Sequence, residues 1–160
     1  MASKAEAALE IFRKHLGNEE GVGEWHTISQ EQINQFADAT LDHQFIHIDP
    51  EKSAKLSPYK VTIAHGYLTL SMVVHLGGSI PPVDAAAYQG VVMGVNYGLD
   101  KVRFPSPVKV DARIRGRREL VDVELKAPNT LQIKQRVTVE IEGEAKPGCV
   151  AETLSRLIYA

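Results

Sequence analysis

The stretch Gly66-Tyr-Leu-Thr-Leu-Ser-Met-Val-Val-His-Leu76 decides the architecture of this chain. Wound as a helix, it carries apolar side chains on almost every side, and a helix that is apolar all round is a buried one. Gly77 and Gly78 follow directly and provide a stop signal. The sequence therefore predicts a buried central helix over residues 66–76.

The chain beyond this helix has the alternation that is typical of long β-strands. We predict strands over Gly90–Phe104, Val108–Val121, Leu131–Ile141 and Cys149–Tyr159. Long alternating strands joined by short polar turns form antiparallel sheets with one wet face. One buried helix followed by several such strands predicts an α+β fold, in which an antiparallel sheet wraps around a long central helix.

Two amphipathic patterns precede the central helix. Ala2–Leu16 has an apolar stripe with helical spacing, and we assign residues 1–23 to a helical extension of a single domain that spans 1–160. Ser29 is a favourable N-cap for a second helix that runs to about Thr40. The segment between this helix and the central one is irregular.

Composition excludes several classes of protein. The 160 residues have a formal net charge of −2 and are 44% hydrophobic, as in an ordinary folded domain, and give no reason to expect nucleic acid. No apolar run approaches the ~20 residues that cross a bilayer, and no signal-peptide pattern is present. The single cysteine, Cys149, suits a reducing compartment. We therefore expect a cytoplasmic protein with neither nucleic acid nor membrane as partner.

The irregular segment contains Asp42-His-Gln-Phe-Ile-His47, which places a carboxylate and an imidazole close together. Such a pair can activate water by proton transfer. Gly66 begins the central helix, where first-turn N–H groups are free and can hold a developing oxyanion. From spacing alone, a structural interpretation stays open: Asp42 caps a turn, His47 is an ordinary buried histidine, and Gly66 only lets the chain turn.

The two motifs together resemble the R-specific enoyl-CoA hydratases, or MaoC-like dehydratases. That family carries Asp-x-Asn-Pro-Leu/Ile-His, and then His-Gly at the start of its central helix. Asp42 and His47 keep the family spacing, and His65-Gly66 matches the second motif. The pair of motifs is more specific than either motif alone.

Departures from the family pattern resemble one branch, that of nodulation protein N. Gln44 replaces the usual Asn, Phe45 the usual Pro, and Leu41 stands where the family has Gly. The stretches Phe36–Thr40 and Asn96–Val108 also look typical of that branch. The resemblance covers most of the chain after the N-terminal helix.

The resemblance implies a hot-dog fold and an enzyme that adds water to trans-2-enoyl thioesters, giving R-3-hydroxyacyl thioesters. It implies that Asp42 and His47 are catalytic and hold one water, with Asp42 as the base. Gly66 would donate its backbone N–H to the thioester oxygen. Gln44 would contact the substrate or the catalytic loop, unless its role is purely structural. No cofactor is implied besides the acyl thioester substrate, on coenzyme A or acyl carrier protein, and a homodimer is expected.

Other interpretations of the same residues remain. The histidines and acids around Asp42 fit no zinc-ligand spacing, so no metal site is predicted. A basic cluster could bind the phosphates of coenzyme A, although we favour a solvated strand face; it comprises Arg113, Arg115, Arg117 and Arg118. Two rival functions are an acyl-thioester thioesterase, which attacks the carbonyl carbon, and a non-catalytic acyl-CoA-binding protein, which has no use for a water-activating pair.

Overall fold

The structure is a computed structural model that describes residues 2–160. Its strands are β1 (Glu19–Val22), β2 (His26–Thr27), β3 (Val91–Arg103), β4 (Arg113–Ala127), β5 (Thr130–Ile141) and β6 (Cys149–Tyr159). They form a six-stranded antiparallel sheet in the order β1-β4-β5-β6-β3, with β2 also paired to β4. The predicted α+β class is confirmed.

The helices lie mainly before the long strands of the sheet. They are α1 (Lys4–Arg13), α2 (Gln30–Thr40), α3 (Phe45–Ile48), α4 (Pro50–Leu56), α5 (Gly66–Ser71) and α6 (Val73–Gly77), followed by a 3₁₀ helix (Ala85–Tyr88). None of the helices within residues 2–160 combines the length and the apolar character that crossing a bilayer requires.

Two apolar clusters fill the space between the helices and the sheet. In the first, α5 and α6 pack on the sheet through Leu68 and Leu76, against residues such as Ile114 and Val139. The second cluster packs α1 and the 3₁₀ helix on the other end of the sheet. Burial of this apolar surface is the main favourable contribution to folding, and it fixes the sheet against the central helices.

The predicted central helix over 66–76 differs from the structure in two respects. It is divided at Met72 into α5 and α6, and the Ser71 hydroxyl donates to the Tyr67 carbonyl at 2.7 Å. Such back-bonding competes with the helical hydrogen bonds and bends helices. The helix is also not buried on every side, because Tyr67 is 71% exposed and Val74 is 65% exposed.

The segment before β4 is tied to the loop that leads into α5. The Ala64 N–H donates to the Val108 carbonyl at 2.7 Å, and the Val110 N–H donates to the Thr62 carbonyl at 2.9 Å. Asp111 then turns with a φ of 66°. The predicted strand over 108–121 is therefore wrong at its start, since these residues hold the loop before Gly66 and β4 begins only afterwards.

The N-terminal segment contributes to the sheet as well as a helix. α1 begins at a capping box, in which Ser3 and Glu6 exchange side-chain and backbone hydrogen bonds. The helical prediction for residues 1–23 covers only part of them, because β1 pairs antiparallel with β4. The sequence of β1 is short and polar, so its alternation carries no signal of a strand.

At the other edge of the sheet, β3 pairs only with β6 among the strands of residues 2–160. Its apolar side chains are unusually exposed, notably Val92 at 65%, Met93 at 50% and Tyr97 at 55%. An exposed, long, apolar edge strand is a surface that proteins normally cover or pair.

Candidate active site

The first site segment begins where α2 ends. Leu41 ends the helix in the left-handed conformation, with φ of 64°, and the chain then turns through Asp42 into the single turn of α3. The Asp42 carboxylate accepts a long bond of 3.4 Å from the Gln44 N–H, and the Gln44 carbonyl accepts from the His47 N–H at 3.0 Å. Asp42 thus also stabilises the turn that presents His47.

His47 is buried and held in one orientation. Its Nδ1 lies 2.7 Å from the Ile63 carbonyl oxygen, so Nδ1 carries the proton and Nε2 is left as an acceptor. Burial lowers the pKa of His47 below its ordinary value of 6.5, and neighbouring His65 lowers it further; the Ile63 bond and Asp42 act in the opposite direction. A neutral imidazole with an unprotonated Nε2 can accept a hydrogen bond from water.

His65 packs directly on this imidazole. The two rings stack with centroids 3.8 Å apart and planes inclined by 22°. His65 Nε2 donates to the Asp42 carbonyl oxygen at 3.0 Å, which leaves its buried Nδ1 without a hydrogen-bond donor in the part of the chain described. His65 therefore fixes both the ring of His47 and the backbone of Asp42.

Asp42, His47 and His65 converge on one point. Each offers a nitrogen or oxygen atom, and these atoms all lie within 4.8 Å of one another. The histidines are buried, whereas the Asp42 side chain is 54% exposed. The arrangement places an exposed carboxylate next to two buried imidazoles, which are the residue types that proton transfer to and from water uses.

The same three residues have the composition of a metal site, but the ring geometry disagrees. A metal bound by histidine lies in the plane of the ring, about 2.0–2.1 Å from the nitrogen. With the two rings stacked 3.8 Å apart, an ion midway between them would lie out of both planes by roughly half that separation. This ring geometry does not fit a metal ion bound by both histidines, and the absence of a metal site stays a prediction.

Gly66 is the first residue of α5, so its N–H has no partner within the helix. No acceptor for this N–H occurs elsewhere among residues 2–160. A Cβ at this position would lie 3.2 Å from ring carbons of Phe104, which covers the glycine. The structure thus provides the free donor that an oxyanion site needs, and the oxyanion role itself stays a prediction. Sequence reasoning did not identify Phe104.

Comparisons with known proteins agree with this geometry. The sequence profile described as MaoC like domain matches residues 12–144. The chain belongs to the MaoC-like domain family. Among curated relatives, 3-hydroxyacyl-thioester dehydratase Z of Mycobacterium tuberculosis is 47% identical, over 89% of this chain and 90% of that protein. Nodulation protein N of Rhizobium leguminosarum bv. viciae is 44% identical, over 94% and 91%. The predicted family and branch are confirmed.

Solved structures extend the likeness of this MaoC-like domain to its fold. An unliganded R-hydratase from Pseudomonas aeruginosa matches with a TM-score of 0.68 at 20% identity, over 99% of this chain and 86% of that chain. A monoamine oxidase regulatory protein from Archaeoglobus fulgius matches with a TM-score of 0.70 at 21% identity, over 91% of each chain. At such identities the likeness establishes the fold, and the predicted hot-dog class is confirmed.

Gln44 is exposed and lies directly before α3 in this MaoC-like domain. Its backbone begins α3, but its side chain makes no hydrogen bond to any residue of the described chain. The side-chain amide therefore does not stabilise the loop through a hydrogen bond. Its substrate-binding role remains a prediction.

The basic cluster of the MaoC-like domain is neutralised by carboxylates. Arg113 pairs with Glu142 at 3.1 Å. Arg115 and Arg117 share Glu140, and Arg117 also pairs with Glu19. These three arginines form an ion-paired strand face rather than an open phosphate site, as we favoured from the sequence.

Arg118 differs from the rest of this cluster because it is only 16% exposed and contacts a fully buried carboxylate, that of Glu20, at 3.1 Å. It lines a cavity of about 440 Å³ between α6 and the sheet, which we call the inner cavity. A second cavity of about 420 Å³, the outer cavity, begins at Leu70 and shares Val73 and Val74 with the inner one. Both lie along the helices that begin at Gly66.

Proposed function

We propose that this chain is an R-specific enoyl-CoA hydratase, which adds water to trans-2-enoyl thioesters and, in reverse, dehydrates R-3-hydroxyacyl thioesters. Its class is that of the hydro-lyases, given its family and the dehydratase and hydratase names of its relatives. One observation carries the proposal. The Asp42 carboxylate lies close to His47, whose ring is neutral, buried and held in one orientation by the Ile63 carbonyl.

In the proposed reaction, water between Asp42 and His47 is the nucleophile. Its oxygen forms a bond to C3 while Asp42 takes its proton, and His47 Nε2 orients the water by accepting its second hydrogen. Electrons of the double bond move onto the thioester oxygen, which the Gly66 N–H stabilises at the N-terminus of α5. Protonation of the resulting enolate at C2, with the proton taken up by Asp42, restores the thioester and the carboxylate.

The proposal includes no metal and no cofactor, because neither the proton transfers nor the oxyanion stabilisation requires one. It places the enzyme in the cytoplasm, since Cys149 is buried and unpaired, as suits a reducing compartment. The substrate is an acyl thioester of coenzyme A or of acyl carrier protein.

A homodimer is also part of the proposal. The β3 edge exposes Val92, Met93 and Tyr97, and Tyr67 and Val74 are exposed on the neighbouring helices. Apolar surface of this extent on a folded domain is normally buried by a partner. A second copy that pairs along β3 would cover both the edge and the helix flank.

Hydration of crotonyl-CoA by purified protein tests the activity, followed as loss of the conjugated absorbance. Asp42→Asn and His47→Gln should each lower the rate by about 10² to 10⁴ while the fold is retained. Asp38→Asn is a matched control, because Asp38 also contacts a histidine, His43, at 2.9 Å, but on the surface. Full turnover by folded Asp42→Asn protein would refute the assignment, and release of free thiol would identify a thioesterase instead.

A further inference from the structure

The inner cavity has an unexpected lining for a space between a helix and a sheet. Its helix wall is apolar, with Val73 and Val74, and its sheet side, besides apolar residues such as Ile133 and Val137, carries polar groups. The polar groups are Asn96, Arg118, Gln135, Thr153 and Ser155, and Tyr88 of the 3₁₀ helix also lines the cavity. The sheet face of a packed layer is ordinarily apolar, so these groups need a physical reason to be there.

Arg118 is the centre of this polar lining. Its Nε donates to Glu20 at 3.1 Å, and the other Glu20 oxygen accepts from Gln135 Nε2 at 2.6 Å. Its Nη1 lies 3.4 Å from the Gly77 carbonyl oxygen. A Cβ on Gly77 would approach Nη1 to 2.9 Å, so the glycine leaves the room that the guanidinium occupies.

Donor capacity remains after these bonds are counted. The Arg118 Nη2 group has two N–H donors, and neither has an acceptor among residues 2–160. Tyr88 lines the same cavity, and burial together with nearby Glu20 raises the pKa of Tyr88, so that its hydroxyl keeps its proton. The inner cavity thus offers unused donors to an oxygen atom that enters it.

The charge at this place decides which kind of oxygen is accepted. The guanidinium of Arg118 is already balanced by Glu20, whose side chain is fully buried. A second carboxylate would lie beside Glu20 without a cation of its own, and an unpaired buried charge is costly. A hydroxyl or carbonyl oxygen needs only a hydrogen-bond donor, which the cavity supplies.

We propose that the inner cavity selects acyl chains that carry a neutral oxygen, a hydroxyl or carbonyl, near the end remote from the thioester. The inference rests on the proposed hydratase function, because it places the thioester at Gly66 and runs the acyl chain along α5 and α6. Gly66 and Leu70 belong to α5 and Val73 and Gly77 to α6, and Leu70 and Val73 line the outer cavity while Val73 and Gly77 line the inner one.

The length of this path sets the chain that reaches Arg118. Gly66 and Gly77 are eleven residues apart, and helices rise about 1.5 Å per residue, so the path along the two successive helices is at most about 16 Å long. A zigzag chain advances about 1.3 Å for each carbon–carbon bond of about 1.5 Å, so an extended chain of ten carbons covers about 12 Å of this path. Crotonyl-CoA, with four carbons, ends well before the polar groups.

The test compares four substrates: crotonyl-CoA, trans-2-decenoyl-CoA, and its derivatives with a terminal hydroxyl or a terminal carboxylate. We expect kcat/KM for the hydroxy substrate to exceed that for the plain chain by about tenfold, and the carboxylate to fall below both. Equal values for the hydroxy and plain chains, with crotonyl-CoA hydrated normally, would overturn this inference alone. Failure to hydrate any of the four would overturn the hydratase proposal itself.

Variants locate the effect at the guanidinium. In Glu20→Gln with Arg118→Met, the ratio of hydroxy to plain kcat/KM should fall to about one, because the donor is gone while no buried charge is left unpaired. The control is the exposed ion pair of the same strand, Glu142→Gln with Arg113→Met, which should keep the wild-type ratio.

A second variant guards against a fold defect in the first. In Gly77→Ala, the new Cβ displaces the Arg118 guanidinium, because it would lie 2.9 Å from Nη1. Both charges of the Glu20–Arg118 pair are kept. It should also lower the ratio of hydroxy to plain kcat/KM. A wild-type ratio in both folded variants would overturn the assignment to Arg118.

Discussion

His47 combines a buried ring with a backbone bond to Ile63, and both its protonation and its orientation follow from that environment. The bond sets the tautomer, so that Nε2 rather than Nδ1 is the acceptor. Burial keeps the ring neutral, since a charged imidazole loses hydration there. The residue is therefore an acceptor at neutral pH without needing a carboxylate partner of its own.

This environment predicts a pH-dependent stability. Because the folded-state pKa of His47 lies below its unfolded value of 6.5, the unfolded chain binds the extra proton first as pH falls. Stability from this residue is therefore complete above pH 6.5 and is lost on acidification below it. Urea titrations at a series of pH values should show a shallower acid loss for His47→Gln than for wild type. Parallel pH profiles for the two proteins would contradict the assigned shift.

Leu41 is a second residue whose conformation has a measurable cost. Its backbone is in the left-handed region, with φ of 64°, which is strained for a residue with a Cβ. Its side chain is 80% exposed, so packing contributes little to offset that strain. The left-handed conformation costs a residue with a Cβ about 1–2 kcal/mol. Glycine avoids this strain, but it loses more conformational entropy on folding, which offsets part of the gain. Leu41→Gly should therefore raise the free energy of unfolding by about 0.5–1 kcal/mol.

Leu41→Ala is the matched control, because it removes the same exposed side chain but keeps the strained Cβ. Chemical denaturation of the three proteins decides the matter. An equal gain from alanine and glycine would show that the side chain, and not the backbone, is responsible.

At the scale of elements, α5 and Phe104 meet at Gly66. Gly66→Val places its Cβ 3.2 Å from the Phe104 ring and adds two methyl groups beside the free N–H. We expect the helix to remain and crotonyl-CoA turnover to fall by about 10² or more, since misplacement by an ångström is enough for that loss. Circular dichroism and initial rates measure the two effects separately.

Phe104→Leu separates crowding from chemistry in this prediction. In the double variant the smaller side chain should relieve the packing strain and restore thermal stability. It should not restore turnover, because the branched side chain still occupies the approach to the Gly66 N–H. Wild-type turnover in the Gly66→Val protein would remove any role for close approach at this glycine.

Sequence periodicity predicted the strands best where one face is buried throughout. Alternation in Leu131–Ile141 and in Cys149–Tyr159 placed β5 and β6 almost to the residue. It failed at Val108, where two backbone bonds to the loop before Gly66 replace the expected pairing. It also missed the division at Met72, which depends on a side-chain bond rather than on apolar spacing.

Local motifs indicate only some residues of the candidate site, for a similar reason. Asp42, His47 and Gly66 belong to short motifs, so spacing and family resemblance could identify them. The stack of His47 on His65 depends on how two loops pack. The contact between Glu20 and Arg118 joins strands that are far apart in the chain. Such long-range contacts leave no local pattern, except that Gln135 interrupts the apolar alternation of β5.

At the scale of the whole molecule, the exposed β3 edge predicts assembly. Light scattering should give about twice the chain mass of 17.6 kDa. Val92→Lys together with Met93→Lys places charges on the edge strand and should yield a monomer. Leu56→Lys, at a site on α4 that is 66% exposed, is the control and should leave the dimer intact. A monomeric wild-type protein would contradict the homodimer.

The composition of β3 also has a consequence for refolding. Residues 91–99 contain no charged side chain, and the charges of the strand begin only at Asp100. Uncharged, apolar edge strands are templates for intermolecular β-pairing, and charged residues act as gatekeepers against it. Pairing with a second protomer and nucleation of fibrils therefore compete for the same nine residues, 91–99. We expect refolding yield to depend on how quickly two chains meet in register, and the earliest aggregates to contain this strand.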